Sequence, residues 1–362
     1  MNNRKKQRQM DLRKFDYSYG SQENSYYSGK DLRSSEPPRK KRKWLKRIFI
    51  FLLLVALVIG IGALVAYFYI DNTRLRGEEE GRVNFVISGV DQAANLSDTL
   101  MIASLQTPQD KEESEYKLAI VSIPRDLYLE IPPFGSNKIN AAYSLGENND
   151  VSGGGLGLVR STVEKNFGID VNYQVAIDFK AFKEIVDAVG GVTVDVPKDI
   201  YDPYYPDNKG YQKLVQFEAG KQKMTGNRAL QYSRSRQTTT DFDRAARQQQ
   251  IALAVKDKIT SEEFALDQSK IVSLINALEE HVETDMSLAE MLRLADIGQQ
   301  MPDKNITRHV LDNGEDSLLI ESNLGGYTLS PRTGNFEEIQ DFIKNIFKQK
   351  EDTLPKSHLR DE

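Results

Sequence analysis

The feature that most limits what this chain can become is the run IFIFLLLVALVIGIGALVAYFYI at residues 48–70, which carries no charge. At about 1.5 Å rise per residue it makes a helix of roughly 34 Å, enough to cross a hydrocarbon core of about 30 Å. A core helix of that length would show a polar face. A cleavable signal peptide has an apolar stretch of only about 7–15 residues ending in a small-x-small site, and no clear site of that kind ends this one. The run is therefore expected to be a transmembrane anchor. The densely basic PPRKKRKWLKR (Pro37 to Arg47) precedes it, and Asp71 and Glu78 to Glu80 follow. The positive-inside rule then places residues 1–47 in the cytoplasm and everything from about 75 onward outside the cell. Trp44, Tyr67 and Tyr69 stand where interfacial aromatics belong.

Charge divides the chain at the same place. Met1 to Arg47 holds 15 Lys+Arg against 5 Asp+Glu, a tail of +10. Taking these from totals of 48 and 53 leaves 33 and 48, so the remainder carries −15. The tail has no periodic apolar face and reads as disordered, its basic run as a topology and lipid-contact signal rather than a nucleic-acid site. No helix-turn-helix pattern precedes residue 48, and nucleic acid is not expected as a partner. Cysteine is absent, which excludes a disulfide framework, a thiolate zinc site and a cysteine nucleophile. The histidines His281, His309 and His358 are isolated, which argues against a histidine metal centre or a serine–histidine hydrolase.

Beyond residue 78 the pattern alternates. VNFVIS (83–88), LAIVSI (118–123), YQVAID (173–178) and VTVDV (192–196) are strand-length apolar runs rich in β-branched residues. Val159, Val163 and Phe167 recur at helical spacing, and Phe182, Ile185, Val186 and Val189 form a stripe stopped by Gly190–Gly191. Further helices are expected near 243–259, 268–281 and 288–297, the last with a Ser287/Glu290 capping box, and at 336–347 behind Asn335. Strands alternating with helices predict a layered α/β domain with helices on both sheet faces. The stretch 201–216, rich in Tyr, Pro and Gly, reads as a long excursion rather than core, a surface hairpin or a rim loop. The expected organisation is a basic cytoplasmic tail at 1–47, the anchor at 48–70, a folded domain at 78–350 and a polar tail at 351–362.

Three places concentrate charge. Asp91 and Asp98 flank a short loop after the first strand run, and Arg125 and Asp126 follow the second directly. The third, QYSRSRQTTTDFDRAARQQQ, contains Arg234, Arg236, Asp241, Asp243, Arg244, Arg247 and Gln248. Ligands of open α/β sheets bind outside the carboxyl ends of strands. Arg234 and Arg236 alternate with serines on an expected extended segment and would share a face. Asp241, Arg244 and Gln248 fall at i, i+3, i+7 on one face of a helix start. Guanidinium forks match phosphate in a bidentate way, and carboxylates opposite them suit a divalent cation shared with substrate phosphates. Taken singly, each cluster also fits a cap, a surface pair or a solvated helix; together they describe a diphosphate site.

The ordered set GVD…SDTL, VSIPRDLYLEIP, KINAAYSLG, VDAVGGVTVDVP, FEAGKQKMTGNRALQYSRSR and DFDRAARQQQ, across 83–260, resembles the LytR-CpsA-Psr family of cell-envelope proteins. The resemblance implies a three-layer α/β/α domain with a mixed central sheet, outside the cell behind one transmembrane helix, with an apolar groove for a polyprenyl chain. It implies a phosphotransferase that moves a glycopolymer from undecaprenyl diphosphate to a peptidoglycan hydroxyl, as wall teichoic acid, capsule or another wall polymer. By the same resemblance Arg125, Arg234, Arg236, Arg244 and Gln248 match the diphosphate-binding positions. Asp91 and Asp98 match the carboxylates near Mg²⁺ (or Mn²⁺), and Asp241 the acidic residue between arginines; Asp98, Arg125, Asp241 and Arg244 are the expected catalytic set. The chain departs from the family pattern in its short Asp91–Asp98 loop, in Leu96 where an arginine is common, and in Asp243 where glycine is common. The rival readings are a polyprenyl-diphosphate pyrophosphatase, an envelope regulator and a non-catalytic lipid-binding wall protein.

Overall fold

The computed structural model describes residues 73–91, 96–109, 115–206, 212–236 and 240–348. The expected tail at 1–47, the apolar run 48–70 and the tail at 351–362 lie outside the described residues. Within them, no helix is long and apolar enough to cross a membrane.

The chain begins with the strands β1 (Arg82–Asp91), β2 (Leu96–Gln106), β3 (Lys117–Ile123), β4 (Tyr128–Ile131) and β5 (Gly135–Lys138). Helices α1 (Ala141–Asn148) and α2 (Gly154–Phe167), strand β6 (Tyr173–Asp178) and helix α3 (Phe179–Ala188) follow. Then come β7 (Val192–Val196), β8 (Ile200–Pro206), β9 (Gln212–Phe217), β10 (Gly220–Met224), α4 (Gly226–Arg234) and α5 (Asp241–Ile259). The rest is α6 (Glu262–Leu266), α7 (Gln268–His281), β11 (Val282–Thr284), α8 (Leu288–Gln300), β12 (Ile306–Val310), β13 (Leu319–Asn323), β14 (Tyr327–Pro331) and α9 (Glu337–Lys344).

Six strands make the central sheet in the order β11-β6-β1-β2-β3-β12. β6 is parallel to β1 and β12 to β3, whereas β2 is antiparallel to both its neighbours and β11 to β6. The sheet is therefore mixed, and the carboxyl ends of β1, β3, β6 and β12 share an edge with the start of β2. Side chains alternate across it with period two. Val86, Val90, Leu100, Ile102, Ala119 and Val121 pack with α2 and α9 in one core. Val83, Phe85, Ala103 and Leu105 turn to the other face and pack with α8. Burial on both faces explains why these strands read as nearly continuous apolar runs.

A separate core gathers α3, α4, α5 and α7 with the two-stranded ribbons β7/β10 and β8/β9. The described part of 201–216 is thus a hairpin, as one of the expected readings had it, but it contributes Tyr205 and Val215 to a core, beside the adjoining Phe217. Helix α5 is clipped to the central sheet by one buried amide: Gln249 Nε2 donates to Ser122 Oγ on β3 (2.8 Å) and to the His309 carbonyl on β12 (2.9 Å). The last hairpin, β13/β14, docks where Leu329 N donates to the Asp126 carbonyl (3.0 Å), just beyond the end of β3.

Candidate active site

Each candidate side chain owes its position to a strand end or a helix start. Asp91 closes β1. Asp98 sits near the start of β2, where the register slips: Val90 pairs with Ser97 and Gly89 with Thr99, so Asp98 has no partner across the ladder. Such a bulge breaks the alternation and re-aims one side chain, here at the carboxyl edge of the sheet. Gly89 opposes it, and a Cβ there would come within 2.9 Å of Thr99 Cβ. Arg125 follows β3 after the single residue Pro124, which cannot continue a ladder.

Helix α5 supplies the other half. Thr240 is its N-cap, and a capping box joins Thr240 to Asp243, whose Oδ2 accepts from Thr240 N (2.8 Å). This gives Asp243, the residue at odds with the family pattern, a structural task at the helix start. With the first turn so fixed, Asp241, Arg244 and Gln248 face the sheet edge together, as their spacing predicts.

The charges interlock. Arg125 Nη1 donates to Asp98 Oδ1 (3.0 Å), and Arg125 Nε lies 3.2 Å from Asp241 Oδ2 and 3.5 Å from Asp126 Oδ2. Arg244 Nη1 lies 3.1 Å from Asp241 Oδ1, and Arg236 Nη2 is 3.9 Å from Asp98 Oδ2. Three guanidinium groups therefore face three carboxylates. Arg125 Nε and Arg244 Nη1 are nevertheless shut from solvent without a well-directed hydrogen bond, although both have carboxylates in ion-pair range. Burial alone would lower Arg125; Asp241, then Asp98 and Asp126, outweigh it and hold the guanidinium above its ordinary value. For Arg244 burial prevails over Asp241 and pushes it down to about 10, with Arg236 and Arg125 adding to the fall. Arg244 is thus a buried cation with incomplete compensation, a setting that favours an arriving anion.

Two cavities meet at this cluster. The larger, about 690 Å³, is walled by Ile87 and Met101 from the sheet and by Phe182, Ile185, Ile251 and Val255 from α3 and α5, and Asp91, Arg234 and Arg236 also line it. The smaller, about 360 Å³, is lined by Arg125, Asp126, Asp241 and Phe242, with Asn313, Glu321 and Tyr327 from the chain's last third. Asp98, Thr99, Arg244 and Gln248 belong to both.

The structure thus gathers Asp98, Arg125, Arg236, Asp241, Arg244 and Gln248 and places Asp91 on the adjoining wall. One expectation needs correction. Arg234 and Arg236 are not on an extended segment: Arg234 is the last residue of α4, because Thr225 caps a helix that runs to it and Ser235 ends it. Arg234 also stands apart from the ion pairs, its guanidinium stacked 3.9 Å over the Phe179 ring. Arg247, in the same charged stretch, turns inward, Nε donating to the Tyr232 carbonyl (2.8 Å). Asn313, Glu321 and Tyr327 were invisible in the sequence because they stand more than 60 residues beyond the last charged cluster, in an unremarkable hairpin and its approach.

Comparison with known proteins gives one answer. A family model described as the LytR_cpsA_psr family matches residues 68–343. A Bacillus subtilis (strain 168) protein named polyisoprenyl-teichoic acid–peptidoglycan teichoic acid transferase TagV is 30% identical over 340 residues, 86% of this chain and 81% of that one. A Staphylococcus aureus (strain COL) protein named regulatory protein MsrR is 26% identical over 273 residues, 74% of this chain and 76% of that one. Among solved structures, the crystal structure of B. subtilis TagV superposes with a TM-score of 0.57 at 26% identity, over 74% of this chain and 98% of that one.

Proposed function

The chain belongs to the LytR_cpsA_psr family, and on that premise we propose that it is a membrane-anchored phosphotransferase. It moves a glycopolymer from undecaprenyl diphosphate to a peptidoglycan hydroxyl through a phosphodiester. The polymer class is wall teichoic acid, capsule or another secondary wall polysaccharide. The observation that carries this reading is the meeting of an apolar groove and a polar cavity at the arginine–aspartate cluster. A lipid diphosphate has that same division, an apolar tail and a glycan joined at two phosphates. The name of the TagV relative gives a polyisoprenyl-linked teichoic acid as donor and peptidoglycan as acceptor. The anchor at 48–70, the cytoplasmic tail at 1–47 and the extracellular domain at 78–350 are parts of the same proposal.

In the proposed reaction the acceptor oxygen attacks the glycan-side phosphorus. The bond from that phosphorus to the bridging oxygen breaks, and its electron pair leaves with lipid phosphate. Arg125, Arg236 and Arg244 hold the diphosphate oxygens and stabilise charge growing on the leaving group. The apolar groove walls exclude water from the lipid side. Asp98, at the junction of the two cavities, or Asp241, on the wall of the smaller one, takes the hydroxyl proton. Arg234 and Gln248 line the larger cavity and orient the phosphates rather than the acceptor.

The donor set suits a hard cation. Among the described residues no group of three or more His, Cys, Asp or Glu gathers to cage a metal. Asp91 and Asp98 line one cavity, however, and Mg²⁺ (or Mn²⁺) is commonly held by two carboxylates with substrate phosphates. Since the three arginines already face three carboxylates, a diphosphate would leave the cluster net negative. A divalent ion on Asp91 and Asp98 would offset that charge.

The test is to reconstitute the full chain in vesicles with a lipid-diphosphate glycan, Mg²⁺ and purified peptidoglycan, beside Arg125→Ala. Phosphodiester-linked glycan on the wall fraction, lost in the variant, supports the transferase. Glycan phosphate released to water without linkage points to a pyrophosphatase. Tight donor binding with no product from any donor overturns both in favour of the regulatory role that MsrR's name suggests.

A further inference from the structure

We propose that the smaller cavity is a saccharide subsite and that the C-terminal hairpin β13/β14 builds it, with Tyr327 as the platform for a pyranose ring and Glu321 and Asn313 as partners for its hydroxyls. The proposal rests on the transferase reading and names the ligand chemistry of one half of that site.

The hairpin's register brings these groups together. Tyr327 pairs with Asn323, and Glu321 lies two residues before Asn323 on the same face, so ring and carboxylate are diagonal neighbours. The opposite face is a hydroxyl ladder in which Ser322 Oγ lies 2.7 Å from both Thr328 Oγ1 and Ser330 Oγ. The ladder holds the strand pair rigid behind the cavity. Glu321 is itself oriented, because Asn313 Nδ2 donates to its Oε1 (2.9 Å). Leu329 N, bonded to the Asp126 carbonyl, ties the whole hairpin to the residue next to Arg125.

The chemistry of this wall selects its guest. Tyr327 is 51% exposed, its phenol is raised by burial and then by the charges of Glu321, Asp126 and Asp241, and these three carboxylates line the same cavity. Glu321 is held by Asn313, Asp126 by Lys138, and Asp241 by Arg125 and Arg244, yet each carboxylate keeps lone pairs that an aliphatic chain would leave unused. A neutral ligand rich in hydroxyls satisfies them: each O–H donates to a carboxylate in a charge-assisted bond. The face of an aromatic ring is electronegative, and the C–H face of a pyranose is its complement. A volume of about 360 Å³ lies in the range of ligand clefts. The cavity also reaches Arg244, 5% exposed, so a sugar seated there abuts the phosphates. That ring belongs either to the donor's first sugar or to the acceptor glycan.

The experiment uses the full chain in detergent, with a short-chain polyprenyl-diphosphate disaccharide as donor and a soluble peptidoglycan fragment as acceptor. KM for each and kcat are measured for the parent, Tyr327→Ala, Tyr327→Phe and Glu321→Gln. Tyr327→Ala is expected to raise one KM at least tenfold with kcat changed less, and Tyr327→Phe to restore it because the ring remains. A raised acceptor KM assigns the ring to the acceptor, and a raised donor KM to the donor sugar. Both KM values within twofold of the parent in Tyr327→Ala and Glu321→Gln would overturn the subsite while leaving the transferase intact. If the parent makes no product, the transferase reading fails, and equilibrium binding of the peptidoglycan fragment and of the donor disaccharide decides the subsite. Loss of either binding in Tyr327→Ala supports it, and unchanged or absent binding of both overturns it.

Discussion

Arg125 is the most connected residue of the cluster, reaching Asp98, Asp126 and Asp241 from one side chain. Removing it deletes a preorganised donor and leaves those carboxylates facing one another. Arg125→Ala is expected to lower the rate of lipid-phosphate release about a hundredfold, on the order of 3 kcal/mol, measured on saturating donor. Arg244 offers a different handle because burial pushes it down from its ordinary value to about 10. Above about pH 10 the folded chain holds fewer protons than the unfolded one, so this group's contribution to stability rises with pH towards the ordinary guanidinium range while its attraction for phosphate is lost. Donor affinity, followed by equilibrium binding from pH 8 to 11, should fall through that window, and Arg244→Gln should remove the fall. The residues that carry fixed charge were legible in the sequence because charge crowding after an apolar run is unusual. The bulge that aims Asp98 was not, since it depends on how β2 pairs with β1 rather than on either strand alone.

Helix α5 carries Asp241, Arg244 and Gln248, and its first turn depends on Thr240 and Asp243. Thr240→Ala removes the N-cap and is expected to cost about 1 kcal/mol of stability, a Tm drop of roughly 2–4 °C by calorimetry. It should also lower kcat, because the loosened turn holds two site residues. Helix positions were readable from their periodicity, and the expected element at 243–259 differs from α5 only at its start. Arg234 shows the opposite case: the serine–arginine alternation suggested a strand, and the cap at Thr225 carried the helix through it. The groove wall gives a further test at this scale. Val255→Trp would fill part of the larger cavity, and each CH₂-sized group of lipid kept out forfeits about 0.8 kcal/mol. Excluding two such groups should raise KM roughly tenfold for a long polyprenyl donor and leave a short-chain donor unchanged.

Across the whole molecule, the layered α/β order followed from the alternation of strand-length and helix-length runs, and the sheet is mixed because β2 and β11 run against the rest. The chain's last third was silent in sequence because its contribution is made through contact: β12 extends the sheet, α9 closes one core, and β13/β14 reach the site. The proposed anchor makes a separable prediction. With donor in vesicles, residues 73–362 alone should turn over on the order of 10²–10⁴ times more slowly than the full chain at equal concentration, and equally fast on a detergent-soluble donor. The two cavities touch only along Asp98, Thr99, Arg244 and Gln248, and this has a kinetic meaning. On the proposed reaction, an acceptor glycan seated in the smaller cavity and a donor tail in the larger would enter by separate doors and never queue for the same one. Spent lipid carrier would then slip back to the bilayer while the finished linkage departs on the other side, so neither product should compete with the opposite substrate.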